Sequence, residues 1–200
     1  MKHQIFVIHG GHASNSYEEY LKYLKEKEVT LGRLRSKDWK ASLGEKLGEE
    51  FEVFAPKMPN QQNAKYLEWK IYFEKLIPLM ESDVVLIGHS LGGIFLAKYL
   101  SEETFPKKIR ATFLVAAPFD APDGRSLADF VLSSSLNKFE QQGGDIFLYQ
   151  SRDDDVVPFS NVEEYQRALP HAHVSVFDDM GHFNSEHFPE LEKDIRSLKF

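Results

Sequence analysis

Six short runs of apolar residues, rich in β-branched and aromatic side chains, recur along the chain, and a stretch of helical period separates each from the next. The runs are Ile5–Ile8, Phe51–Ala55, Val84–Ile87, Thr112–Val115, Ile146–Tyr149 and Val174–Phe177. Runs of this length and composition read as buried strands. The intervening helical stretches are Tyr17–Lys27, Trp39–Glu49, Ala64–Met80, Leu91–Ser101, Ser126–Gln141, Asn161–Ala168 and Glu186–Leu198. Strands joined through crossover helices pair in parallel and are covered on both sides. The expected architecture is therefore α/β: a mostly parallel sheet of about six strands with helices on both faces. Ser126 with Asp129 resembles a capping box with Asp in place of Glu, and Gly143-Gly144 closes the same helix. With 200 residues, 42% of them hydrophobic, and no repeat, low-complexity tract or Pro/Gly/Ser-rich linker, residues 1–200 read as one domain.

Composition excludes several classes of chemistry. A formal charge of −7 repels phosphate backbones and anionic lipid, which argues against nucleic acid or a membrane as the main partner. The absence of cysteine removes disulfides, thiolate nucleophiles and Cys-based metal sites together. The apolar run Ile5–Ile8 is too short for a signal-peptide core, and no run approaches the roughly 18 to 20 residues that span a bilayer. A cytoplasmic protein is expected.

In an open parallel sheet, ligands bind beyond the carboxyl ends of the strands. The third strand runs into Gly88-His89-Ser90-Leu91-Gly92-Gly93 and then into an apolar helix, which is the Gly-x-Ser-x-Gly nucleophile elbow in its strand–turn–helix context. Side chains two positions to either side of the serine would collide with the neighbouring backbone, so glycine is needed there. The helix start offers the Leu91 N–H to a developing oxyanion. A serine hydroxyl needs a base to take its proton and an acid to orient that base. Asp153, Asp154 and Asp155 follow the fifth strand, with Asp120 after the fourth as a further candidate acid. His182 directly follows the sixth strand; His171 and His173 precede it, and His187 lies in the last helix. The first strand leads into His9-Gly10-Gly11-His12, where the second half of an oxyanion hole belongs.

Taken together, His9-Gly10-Gly11, Met58-Pro59, Gly88-His89-Ser90, Asp153-Asp154 ahead of Val157-Pro158, and Gly181-His182-Phe183 resemble the compact α/β-hydrolases. The resemblance is greatest to the small serine hydrolase family that includes retinoblastoma-binding protein nine. It implies a compact α/β-hydrolase fold, an acid at Asp154, a base at His182 and a second oxyanion donor at Gly11. Members often have Pro where this chain has Asp155, so an extra carboxylate stands here.

The expected activity is that of a serine hydrolase working through an acyl-enzyme on a small ester, thioester or related acyl substrate. No cofactor and no metal are expected. The contrasting expectation is a binding protein on a hydrolase scaffold with little activity. Residues 116–144 have the length of an ordinary crossover and leave no room for a large lid domain, so the site should be open. Tyr17, Tyr20, Leu21 and Leu24 form an amphipathic stripe that either packs into the core or lines a pocket above Ser90. Lys25, Lys27, Arg33, Arg35 and Lys37 add positive charge nearby, read as a solvated face or a preference for anionic substrates. Phe183 is expected to pack under the His182 imidazole.

Overall fold

The computed structural model describes residues 2–35, 37–120 and 127–200. Six strands, β1 (His3–Ile8), β2 (Phe51–Phe54), β3 (Val84–His89), β4 (Ile109–Val115), β5 (Asp145–Ser151) and β6 (His173–Phe177), form one sheet. Its order is β2-β1-β3-β4-β5-β6, and every neighbouring pair is parallel. The helices are α1 (Tyr17–Glu26), α2 (Leu31–Arg35), α3 (Trp39–Leu47), α4 (Tyr66–Leu76), α5 (Leu91–Glu102), α6 (Asn137–Gln142), α7 (Ser160–Ala168) and α8 (Pro189–Ser197).

Successive strand residues point to opposite faces, and the core divides accordingly. Phe6 and Ile8 of β1, with Val84 and Leu86 of β3, pack against α4, α5, α6 and α7 through Trp69, Phe73, Phe95, Phe139 and Tyr165. Ile5 and Val7, with Val85 and Ile87, pack against α3 and α8 through Trp39, Leu43, Leu191 and Ile195. Burial on both faces explains why the central strands are continuously apolar. The order of connection reverses between β1 and β3, so the crevice of the sheet opens where His9-Gly10-Gly11 and Ser90 leave their strands.

The segment after β4 departs from the sequence reading. Instead of a helix over Ser126–Gln141, residues 127–136 follow an irregular path and the helix is confined to α6. Ala128 takes a left-handed φ of +47°, and the Phe130 N–H bonds back to the Leu127 carbonyl at 2.9 Å. Ser126 lies outside the described residues. Asp129 caps a different helix: its Oδ2 accepts from the Tyr66 N–H at 3.0 Å, at the start of α4. The fully buried Phe130 ring meets Tyr66 and Trp69 edge-on, at 5.9 and 5.3 Å. These tertiary contacts override a local helical pattern. The expected glycine stop is present, with Gly143 at the C-cap of α6 and Gly144 at φ +67°.

The stripe on α1 is likewise corrected, because α1 has no buried residue. Tyr17 is 63% exposed and Leu24 40%, so the stripe is not core. The helix is attached instead through Tyr23, which lies off the stripe and stacks on His12 at 3.6 Å, and through Lys27 Nζ, which donates to Gln62 Oε1 at 2.8 Å. The adjoining α2 was not expected from the sequence, and it exposes Leu31 and Leu34.

Asp129→Ala leaves the first N–H of α4 without its side-chain acceptor. Stability is expected to fall by about 1 kcal/mol, seen as a lower urea midpoint with unchanged m-value.

Candidate active site

The elbow forms as the glycine spacing requires. Ser90 lies between β3 and α5 with φ +54° and ψ −122°, and its N–H donates to the Val115 carbonyl at 2.8 Å. A Cβ on Gly88 would lie 2.5 Å from the Gly92 carbonyl oxygen. One on Gly92 would lie 2.7 Å from the His9 oxygen and closer still to that of Ile8. Only glycine lets the first turn of α5 approach β3 and β1 this closely. Gly10 lies against the serine, its missing Cβ only 3.0 Å from Ser90 Cβ. Gly11 adjoins Leu91, with 3.3 Å from its missing Cβ to Leu91 Cδ2. Leu91 opens α5, so its N–H has no acceptor within the helix.

The three consecutive aspartates have separate environments. Asp154 is hydrogen-bonded to His182, with Oδ2 2.9 Å and Oδ1 3.1 Å from Nδ1, and its side chain is fully buried. The same carboxylate accepts from the Val156 and Val157 N–H groups at 2.8 and 2.9 Å and from Gln150 Nε2 at 3.1 Å. Asp153 accepts from Ser151 Oγ and from the Gly181 N–H at 2.9 Å, fastening the loop before His182. Asp155 is exposed. Asp120 is exposed too, and its N–H donates to Asn161 Oδ1 at 3.1 Å.

The competing candidate bases are occupied elsewhere. His171 pairs with Glu140, and His173 stacks on Phe147 at the start of β6, the end of that strand remote from His182. His187 is exposed and bonded to Lys46. Phe183 is buried, but its ring packs on Phe177 and Phe188 in the core, so it anchors the loop rather than cushioning the imidazole.

Ser90 and His182 line one cavity of about 280 Å³ together with Gly10 and Gly11. Asp38, Lys40, Gln61 and Asn184 add polar wall, and among the described residues Val156 is the only aliphatic one lining it. No α1 residue takes part, so the stripe is not a wall of this cavity among the described residues.

The serine hydrolase family profile matches residues 31–199. This chain belongs to that family. No curated protein matches it. The structure of the ydeN gene product of Bacillus subtilis is similar over 98% of both chains, with 19% identity and a TM-score of 0.79. The esterase domain of a Rhodothermus marinus protein aligns over 92% of this chain and 78% of its own, at 18% identity and a TM-score of 0.60. The Pyrococcus furiosus esterase Pf2001 aligns over 97% and 80%, at 18% identity and 0.57. At these identities the likeness establishes the α/β-hydrolase fold. Among the described residues, no helix is long and apolar enough to cross a membrane.

Sequence reasoning missed three contributors to the site of this serine hydrolase. His9 is one: its Nε2 accepts from the Met58 N–H at 2.8 Å while Nδ1 donates to the Gly10 carbonyl at 2.7 Å, tying the glycine loop to the loop after β2. The sequence placed His9-Gly10-Gly11 and Met58-Pro59 side by side as motifs without this bond. Lys40 is another, its side chain largely buried and its Nζ 2.6 Å from Asp38 Oδ2. His89, only 4% exposed, is the third; its Nε2 donates to the His182 carbonyl at 2.9 Å. Trp39 completes the support of the histidine loop. Its Nε1–H donates to the Phe183 carbonyl at 3.1 Å and its backbone N–H to that of Ser185 at 2.9 Å.

Burial disfavours the imidazolium forms of His9, His12 and His89 and holds their pKa values below the ordinary histidine value, most strongly at His89. The unfolded chain takes up protons below about pH 6.5 while the folded chain resists them, so stability rises with pH through this range. The urea midpoint is therefore expected to fall on acidification from about pH 7 to about pH 5. His89→Gln should flatten part of that slope, whereas an equally steep profile would show that His89 does not contribute to it.

Proposed function

We propose that this protein hydrolyses small, polar acyl esters or thioesters through an acyl-enzyme, with Ser90 as nucleophile, His182 as general base and Asp154 as its orienting acid. The observation that carries this reading is the Asp154–His182 pair, Oδ2 to Nδ1 2.9 Å, at the cavity that Ser90 also lines. The carboxylate accepts the hydrogen bond of Nδ1–H, which leaves the Nε2 lone pair for the serine proton. Ser90 Oγ then adds to the acyl carbon as its proton passes to Nε2. The resulting oxyanion is assigned to the N–H groups of Leu91 and Gly11. Collapse expels the alcohol or thiol, which takes the proton from His182, and water repeats the cycle to release the acid. No cofactor or metal enters the scheme.

The polar lining of the cavity supports short acyl groups over long aliphatic chains, since a hydrocarbon tail gains little where the walls carry charges and amides. A small-molecule acyl substrate, a cytoplasmic setting and the absence of a nucleic-acid or membrane partner belong to the same proposal.

Incubation with a fluorophosphonate, followed by intact-mass spectrometry, is expected to give one adduct that Ser90→Ala abolishes. A well-folded wild-type protein that takes no adduct would overturn the reading in favour of a binding role. Asp154→Asn is expected to lower kcat by about 10⁴-fold, while Asp155→Asn stays within about threefold; the reverse order would reassign the acid. Across p-nitrophenyl esters, kcat/KM should decline as the acyl chain lengthens beyond a few carbons. A rise with chain length would contradict the polar-cavity argument.

A further inference from the structure

We infer that Lys40 and His89 are positioning residues for His182. Lys40 fixes the tautomer of His89, and His89 in turn holds the backbone carbonyl of His182 so that its ring spans Asp154 and the cavity. The inference rests on the proposed function, in which His182 is the base, and adds two residues to it.

The hydrogen-bond polarity follows from the atoms. His89 Nε2 lies 2.9 Å from the His182 carbonyl oxygen, which only accepts, so Nε2 carries the proton. His89 Nδ1 lies 3.3 Å from Lys40 Nζ, and an ammonium only donates, so Nδ1 presents its lone pair. One neutral tautomer satisfies both contacts. The ammonium is aimed by Asp38, whose Oδ2 lies 2.6 Å from Nζ and whose Oδ1 accepts from the Lys40 N–H at 3.1 Å as the N-cap of α3. The ammonium also stands 4.9 Å from the Trp39 ring centroid, and that ring makes a T-shaped contact with His89 at 6.2 Å between centroids.

Burial makes the arrangement consequential. The Lys40 side chain is 13% exposed and His89 is 4% exposed, so water does not readily replace a lost partner. The groups facing His89 are Lys40, with Asp38 behind it, the His182 ring at 5.0 Å between centroids, and His9. Without Lys40, the Nδ1–H tautomer no longer faces an ammonium that only donates, so its penalty falls, and wherever it forms it sets the Nε2 lone pair against the His182 carbonyl oxygen. Two like partial charges at hydrogen-bond distance push the loop that carries the base. Lys40 is a poor substrate-binding cation by comparison, because Asp38 neutralises it and His89 takes a second of its three N–H groups.

Two variants separate these roles: Lys40→Met removes the donor, and Lys40→Gln removes the charge but keeps an N–H donor. Long-range ¹H–¹⁵N spectra of the imidazoles report the His89 tautomer without reference to activity, and p-nitrophenyl acetate turnover reports kcat and KM. His89 is expected as the Nε2–H tautomer in wild type and in Lys40→Gln, and as a tautomer mixture in Lys40→Met. Displacing a base costs kcat, so Lys40→Met should lose about 10- to 100-fold in kcat with KM little changed. Lys40→Gln should recover most of that loss. Equal losses in the two variants would overturn the inference in favour of the charge, and a Lys40→Met protein with wild-type tautomer and kcat would overturn it outright. Should Lys40→Met fail to fold, the wild-type spectrum still decides, since an Nδ1–H or protonated His89 is incompatible with the relay. Failure of the hydrolase reading has a different signature: no fluorophosphonate adduct on wild-type protein, whatever the tautomer.

Discussion

The close approach of the first turn of α5 to the ends of β1 and β3 is the constraint on which the rest of this structure depends. A Cβ at Gly88 or Gly92 would sit inside contact distance of backbone atoms, and one at Gly93 would lie 2.5 Å from Ala117 Cβ. Two crossing elements can therefore meet with almost no side-chain layer between them, and the turn that joins them is compressed into a left-handed serine. The strain is held by neighbours rather than relaxed. The Ser90 N–H is bonded to β4, and α5 is buried along nearly its whole length.

The loop carrying His182 has little secondary structure of its own, and its position is set from outside. His89 of β3 and Trp39 of α3 donate to the carbonyls of His182, Phe183 and Ser185, while Ser151 and Asp153 accept the Met180 and Gly181 N–H groups. The buried Phe183 ring pins the same loop to the core below. An imidazole on an irregular segment thus acquires the fixity of the sheet, which is what the proposed role of His182 as general base requires. The glycine loop after β1 is fixed in a comparable way, by a neutral His9 whose two nitrogens are both engaged.

Polarity is distributed against simple expectation around this site. The cavity is walled by amides, charges and glycine backbone, while apolar side chains of α1 and α2 remain on the outer surface. Among the described residues, α1 buries none of its own and is attached through the Tyr23–His12 stack and the Lys27–Gln62 bond. The amphipathic period on α1 is genuine; it faces solvent because the sheet is already covered on both faces by α3 with α8 and by α4 to α7.

Much of this was legible from the residues. Apolar runs of strand length separated by helical stretches determine a parallel sheet, because no other arrangement satisfies the backbone of buried strands joined by crossovers. Gly88-His89-Ser90-Leu91-Gly92 determines a strained serine between strand and helix, because the steric requirement is local and written in the glycines. The run Asp153-Asp154-Asp155 does not by itself say which carboxylate meets His182; the family resemblance implied Asp154, and the tertiary structure brings that one to the imidazole, since consecutive loop residues point in different directions according to what their backbone bonds to. The tertiary structure also decided that residues 127–136 would cap and pack against α4 instead of forming a helix, and that the Lys40 side chain would be largely withdrawn from solvent beside His89. In each case the deciding partner, His182, Tyr66 or His89, is remote in the chain, and a local pattern carries no information about contacts that only folding creates.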